Sequence, residues 1–267
     1  MQQDVRAAAR AALAAVPINV GFVRAVLDGT AAGEVWCDRV HAPRAFHVVH
    51  PYGMSLVWGD AVDDAFAEVI AHLRARDAGE WLQVDPRWLE LDWDQALGAV
   101  PFDTIDKASS AATARHTRVN FTFDADAFRA RRTSLEPPEP WRARTATADD
   151  YAIAGSVVPA GFWPDAPSFL AHGGGAVLED AGDVGAIAFA SFRWDDNVEI
   201  GIETLPAFRR RSLGSAVAAA YVDTVVAAGL TPVWSCREDN VGSYRLAESV
   251  AFAPTARVPY YHVPVRR

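Results

Sequence analysis

The sequence predicts an α/β fold in two halves, on three observations. Apolar runs suited to strands alternate along the chain with longer runs at helical spacing. Three prolines within Glu136-Pro137-Pro138-Glu139-Pro140 can neither continue a helix nor sit in a central strand, so this segment reads as a stiff linker. The stretch Glu199–Phe252 reads as strand, basic turn, helix, strand, helix. A chain of 267 residues accommodates two domains of ordinary size, here 1–135 and 141–267 joined by 136–140.

The first half opens with an Ala-rich amphipathic helix, Met1–Ala15, which contains Asp4 and lacks the serine-rich character of a transit peptide. Strand runs follow at Gly33–Cys37, Ala45–His50 and Met54–Trp58. Asp60 is placed to cap a helix through Ala78, with Val62, Phe66, Val69, Ile70 and Leu73 at helical spacing. Trp81–Val84 is a short strand, Pro86–Leu97 a helix begun by proline, and Arg115–Phe123 a strand. In the second half, Trp141–Arg144 is a strand, Ala148–Gly155 a helix and Pro159–Pro167 a loop. Gly175–Glu179, Val184–Trp194 and Val198–Thr204 are strands. Leu213, Val217, Ala220, Tyr221, Val225 and Ala228 make one helix face, stopped at Gly229. Pro232–Cys236 is a strand, Asn240–Val250 a helix and Val258–Val263 a closing strand.

Composition excludes several classes. With 51% hydrophobic and 10% aromatic residues the chain can bury a sizeable core, which excludes global disorder. A net charge of -9 disfavours nucleic acid and anionic membranes as partners, and nothing reaches the length of a membrane-spanning helix. Lys107 is the sole lysine, so arginine carries the positive charge. Cys37 and Cys236 form neither a disulfide framework nor metal-ligand spacing, which fits a reducing cytoplasm.

The turn Arg209-Arg210-Arg211-Ser212-Leu213-Gly214 opens directly onto a helix after an apolar strand. The first N–H groups of a helix lack internal partners and carry partial positive charge, so this arrangement makes an anion seat. Backbone groups of Ile202, Glu203 and Thr204 can pair with an extended amide chain, as an added strand would.

Within Ile202–Phe252 these residues resemble the GNAT (general N-acetyltransferase) superfamily. The match lies in Ile202-Glu203-Thr204-Leu205-Pro206-Ala207-Phe208-Arg209, in the turn through Gly214, and in Asn240 followed by Leu246-Ala247-Glu248-Ser249-Val250-Ala251-Phe252. A two-part subgroup with an extra N-terminal half fits best. The resemblance implies a mixed, mostly antiparallel central sheet flanked by helices, preceded by a smaller GNAT-like half. It implies acetyl-CoA as co-substrate, without a metal, and a small-molecule or peptide amine as acceptor. Ile202, Glu203 and Thr204 would then hold the pantetheine arm. Arg209, Arg210, Arg211, Ser212, Leu213, Gly214 and Ser215 would hold the pyrophosphate, with Asn240 and Ser243 as further contacts.

Two residues depart from the pattern. Ser212 stands where the family's turn usually has glycine, and serine is expected there at a helical or cap-like φ. Ala247 stands seven residues after Asn240, where many GNAT enzymes carry a tyrosine that protonates the thiolate. Tyr244, one turn earlier, is the alternative acid, with Cys236 nearby. A thiol pKa near 8.5 leaves solvent protonation adequate as well. Glu199 and Glu203, four apart and so on one face with Gly201 leaving space between, are the candidate bases. Phe162, Trp163, Phe169, Trp234 and Tyr260-Tyr261-His262 mark the acceptor region.

Other signals carry less. His172-Gly173-Gly174-Gly175 has no Gly-x-Ser-x-Gly partner and reads as a turn. His41, His47 and His50 are close in sequence, but His47 and His50 would face opposite sides of one strand, which argues against a metal site, and Asp92 and Asp94 read as a solvated helix face. Trp58-Gly59-Asp60-Ala61-Val62-Asp63-Asp64 would repel a pyrophosphate, so the first half is a degenerate copy that covers the acceptor site or makes a homodimer. The rival readings are a non-catalytic acyl-CoA-binding protein and an enzyme using a longer acyl-CoA.

Overall fold

Strand-forming runs bracket each major helix, and in the computed structural model they pair into β-sheet. The structure describes residues 2–105 and 112–265, so Lys107 lies outside it. Two compact units divide the chain, unit 1 being Met1–Val119, Arg237–Asp239 and Ala256–Arg267, and unit 2 Asn120–Cys236 and Asn240–Thr255.

Unit 1 begins with helices α1 (Gln2–Leu13) and α2 (Gly21–Asp28), the second unannounced by sequence pattern. Strands β1 (Glu34–Cys37), β2 (Ala45–Val49) and β3 (Met54–Gly59) pair antiparallel in order. Helix α3 (Phe66–Ala75) then crosses to β4 (Glu80–Val84), which lies parallel to β3. Asp60 does not cap this helix. Residues 62–65 form a turn, Ala65 stands at the N-cap without a side-chain bond, and Asp60 faces Arg87 at 3.8 Å. The expected helix Pro86–Leu97 is broken in two, because Asp85 caps a 3₁₀ turn at Pro86–Trp88 and Asp92 caps α4 (Trp93–Leu97). Asp94, its side chain 39% exposed, is partly solvated as expected, and it also binds the Tyr261 hydroxyl at 2.9 Å and pairs with Arg115. A short strand β5 (Ala99–Pro101) pairs with β6 (Thr113–Phe123).

A buried polar chain runs beneath the β2 face. His47 bridges His72 (3.0 Å) and Glu80 (3.0 Å), and Arg76 joins Glu80 (3.2 Å) to Glu34 (2.6 Å). Burial, then the charges of His47 and Arg76, depresses the His72 pKa to about 4, and burial alone does the same for His50. The His50 Nδ1 accepts the Tyr52 N–H at 3.0 Å, which requires that nitrogen unprotonated. Folded values below the unfolded one mean that stability is complete above pH 6.5 and is lost as pH falls toward 4. Between pH 7 and pH 5, urea unfolding should therefore lose about 2 kcal/mol from His50 and less from half-buried His72. His50→Asn, which keeps an acceptor but cannot titrate, should flatten most of that fall; an unchanged slope would contradict it.

Unit 2 contains α5 (Ala125–Arg131), capped by Asp124, and the proline segment. That segment is a turn: Trp141 donates to the Pro138 carbonyl at 3.0 Å, and the Glu139–Pro140 peptide is cis. Leu135 and Trp141, which flank it, are both buried. Prolines stop helix and ladder without stopping flanking side chains from packing, so the division between units falls at Val119/Asn120 within β6 instead.

Strands β7 (Arg142–Thr145), β8 (Gly175–Asp180), β9 (Asp183–Trp194) and β10 (Asn197–Thr204) pair antiparallel in order. The expected helix Ala148–Gly155 is a 3₁₀ turn at Ala148–Ala152, held by a Thr147–Asp150 capping box. Asp165 starts α6 (Ala166–His172) within the expected loop. Helix α7 (Leu213–Ala227) crosses from β10 to the parallel strand β11 (Thr231–Arg237). The chain reverses after α7 at Gly229, whose φ of +73 suits glycine. Helix α8 (Val241–Ser249) and β12 (Phe252–Val263) follow, the last residues of β12 pairing with β4 in unit 1. Each unit thus carries a parallel strand–helix–strand crossover, and β5 also lies parallel to β6, within a mixed, mostly antiparallel α/β architecture. No helix among the described residues is long and apolar enough to cross a membrane.

Candidate active site

The site is built where β10 and β11 part. Their parallel pairing runs Asn197↔Thr231, Val198↔Pro232 and Glu199↔Val233, and stops there, while β10 continues to Thr204 against β9. The β10–β9 register shifts between Glu199 and Ile200, a local irregularity of the kind that bends a strand. Ile200–Thr204 therefore carries β10 past the last recorded β11 partner. Thr204, the first turn of α7 and α8 converge: a Cβ on Gly214 would lie 3.3 Å from Thr204 Oγ1 and 3.5 Å from Leu246.

The basic turn has an alternating backbone. Arg209 has φ −63, Arg210 +63 and Ser212 +58. Ser212 is thus left-handed, against the expectation of a helical or cap-like φ, and its side chain makes no cap bond. Geometry explains this: entry into α7 requires a left-handed residue at this join, and serine adopts that conformation at a cost of about 1–2 kcal/mol. Successive N–H groups in such a turn form an anion-binding concavity, and α7 has no acidic residue in its first turn. Ser212→Gly should raise stability by about 0.5–1 kcal/mol and leave anion binding intact, read by thermal melts; a fall in stability would contradict the strain argument.

Sequence treated the two glutamates alike, and the structure separates them. Glu203 is buried, and its carboxylate accepts from Ser156 N (3.0 Å), Ser156 Oγ (3.2 Å), Val157 N (3.1 Å) and Arg209 (3.2 Å). Both its oxygens are engaged in holding a loop and a turn. Glu199 is also buried, at the last paired position of the fork, and receives the Ser235 hydroxyl. The space expected over Gly201 is filled: a Cβ there would lie 2.6 Å from the Phe189 ring.

Asn240 caps α8, its Oδ1 accepting from Ser243 N at 3.2 Å, and the Ser243 hydroxyl lies 3.2 Å from the Trp234 indole N–H. Tyr244 is half-buried, edge-on to Phe121 at 5.2 Å, and Ala247 is fully buried. Phe162, Trp163 and Phe169 are core residues: Phe162 packs on Phe189 and Phe192, and Trp163 donates to Ala190 O at 2.6 Å. Tyr260, Tyr261 and His262 belong to unit 1, paired with Gln83, Leu82 and Trp81. His172–Gly175 is the turn into β8, with the Gly173 carbonyl held by Tyr221 at 2.9 Å. Ser235, Ser156 and Val157 were missed from sequence. Only the parallel register, which puts Ser235 two residues beyond the partner of Glu199, points to the first of them. Among the described residues no group of His, Cys, Asp and Glu could hold a metal ion.

A family model described as GNAT acetyltransferase matches residues 17–261, and the chain belongs to that family of N-acetyltransferases. The chain is 22% identical over 244 residues to the uncharacterized N-acetyltransferase YdfB of Bacillus subtilis (strain 168), covering 90% of this chain and 89% of that one. Its fold is similar to a GCN5-related N-acetyltransferase-like protein from Streptococcus suis 89/1591, with TM-score 0.70, 19% identity and 98% and 99% coverage. It is also similar to a tandem GNAT protein from the clavulanic acid biosynthesis pathway, solved without AcCoA, with TM-score 0.57, 14% identity and 99% and 94% coverage.

Proposed function

We propose that the chain transfers an acetyl group from acetyl-CoA to a primary amine by direct attack. The observation that carries this reading is the fork that ends at Glu199↔Val233 with a left-handed, cationic turn at its open end. Acetyl-CoA supplies an acetyl thioester: the C–N bond of the amide forms, the C–S bond breaks and CoA leaves as a thiol. Ile202, Glu203 and Thr204 offer backbone groups to the pantetheine amides. Residues Arg209, Arg210, Arg211, Ser212, Leu213, Gly214 and Ser215 offer N–H groups and guanidinium charge to the pyrophosphate. Asn240 and Ser243, at the start of α8, complete the seat.

Glu199 is the base in this reading, because it stands at the apex of the fork and Ser235 holds its carboxylate in place. It takes the proton that the acceptor ammonium must lose before attack. Glu203 holds the loop and the turn. With Ala247 buried where the family tyrosine stands, the thiolate takes its proton from Tyr244 or from solvent. Unit 2 is the catalytic half in this reading, in place of the whole of 141–267, and unit 1 is a degenerate copy whose Asp60, Asp63 and Asp64 turn away a second pyrophosphate; a cytoplasmic setting and a homodimer accompany this reading. Isothermal titration with CoA tests it, followed by thiol release from acetyl-CoA with a panel of amines. Absence of CoA binding would sink it, and binding without turnover would favour a non-catalytic acyl-CoA binder.

A further inference from the structure

The Glu203 carboxylate joins two segments that lie far apart in sequence. One oxygen gathers the backbone N–H groups of Ser156 and Val157 at 3.0 and 3.1 Å together with the Ser156 hydroxyl. The other meets the Arg209 guanidinium at 3.2 Å, and Arg209 Nε also donates to the Thr204 carbonyl at 3.0 Å. Gly155 presses against the same side chain, since a Cβ there would lie 2.8 Å from Glu203 Cγ. A larger residue at 155 would push this loop off the carboxylate. The side chain of Glu203 is 7% exposed and that of Arg209 57% exposed. One end of the link is therefore buried and the other is open to a ligand.

We propose that Glu203 is a positioning residue that couples the anion-binding turn to the Gly155–Val158 loop, so that an occupied turn tightens the loop. This rests on the turn binding the pyrophosphate of CoA. The two bonds from Arg209 use two of the five guanidinium N–H donors, which leaves the fork able to meet a phosphate oxygen as well. A phosphate there restricts the exposed arginine, and a restricted arginine holds the buried carboxylate against Ser156 and Val157. The loop precedes the Phe162–Phe169 segment on the same unit. Cofactor binding would thus order the Gly155–Val158 loop ahead of that buried segment, and by linkage an ordered loop would strengthen cofactor binding.

Hydrogen exchange of the full chain, with and without saturating CoA, reads the Ser156 and Val157 amides directly, while titration calorimetry reports CoA binding separately. In the wild type, CoA should slow exchange at these two amides by about 5-fold or more. Arg209→Ala, saturated with CoA, should keep the protection seen without ligand and lose the response to CoA. Glu203→Gln should lose both. The Arg209 substitution, at an exposed side chain, keeps the test valid where Glu203→Gln folds poorly. CoA bound by calorimetry with no change at Ser156 and Val157, or a response that survives in Arg209→Ala, overturns the coupling alone. No CoA binding overturns the acetyltransferase reading and the coupling with it.

Discussion

Glu199→Gln should lower kcat/KM for acetyl transfer by about 10²–10⁴-fold near neutral pH, with CoA affinity unchanged. The carboxamide matches the carboxylate in shape and can still meet the Ser235 hydroxyl, so the fork should survive. What it lacks is a lone pair basic enough to take the ammonium proton. The deficit should shrink as pH rises through the pKa of the acceptor amine, because solvent then supplies the neutral amine and the base has less to do. A purely structural role for Glu199 would give a loss independent of pH. Initial rates of thiol release from pH 6 to 10, with calorimetry for CoA, decide between these. Activity retained within about 3-fold at pH 7 would remove Glu199 as the base.

Arg210→Ala combined with Arg211→Ala should weaken CoA binding by about 10–100-fold at low ionic strength. Charge-assisted bonds from guanidinium to phosphate carry this loss, and salt should narrow it because both side chains are exposed. The N–H groups at the start of α7 remain, so some affinity persists. Arg211 also lies over the Phe208 ring at 5.7 Å, so its removal frees part of the turn's packing. Ser212→Gly serves as the matched control, since it alters the backbone cost and leaves the charge. An unchanged Kd in the double variant would show that the turn does not seat the pyrophosphate.

Local signals in the sequence carried a long way in unit 2. The strand ending at Thr204, the helix beginning at Leu213 and the Asn240 cap all lie within a turn of where chain pattern places them, because caps, turns and periodicity are decided by near neighbours. Pattern failed where a second cap intervened. Asp85 and Asp92 each begin a helix of their own, so one amphipathic run became two pieces. It also failed at α2 and α6, short helices whose stability comes from burial of Phe22, Val23 and Phe169 rather than from propensity. The prolines at 137–140 marked a rigid turn and were read as a boundary; the buried flanks Leu135 and Trp141 hold it inside one unit.

By itself the sequence determined the α/β class, the order of strand, cationic turn, helix, strand and helix, and the absence of the family tyrosine at Ala247. These depend on residues close together in the chain. Only the tertiary structure decided what Glu199 and Glu203 do differently. Ser235 lies 36 positions from the first, and Ser156 lies 47 from the second, distances over which no local pattern specifies a hydrogen bond. It decided Ser212 as well: the φ of +58 is imposed by the join between β10 and α7, against the preference of serine itself.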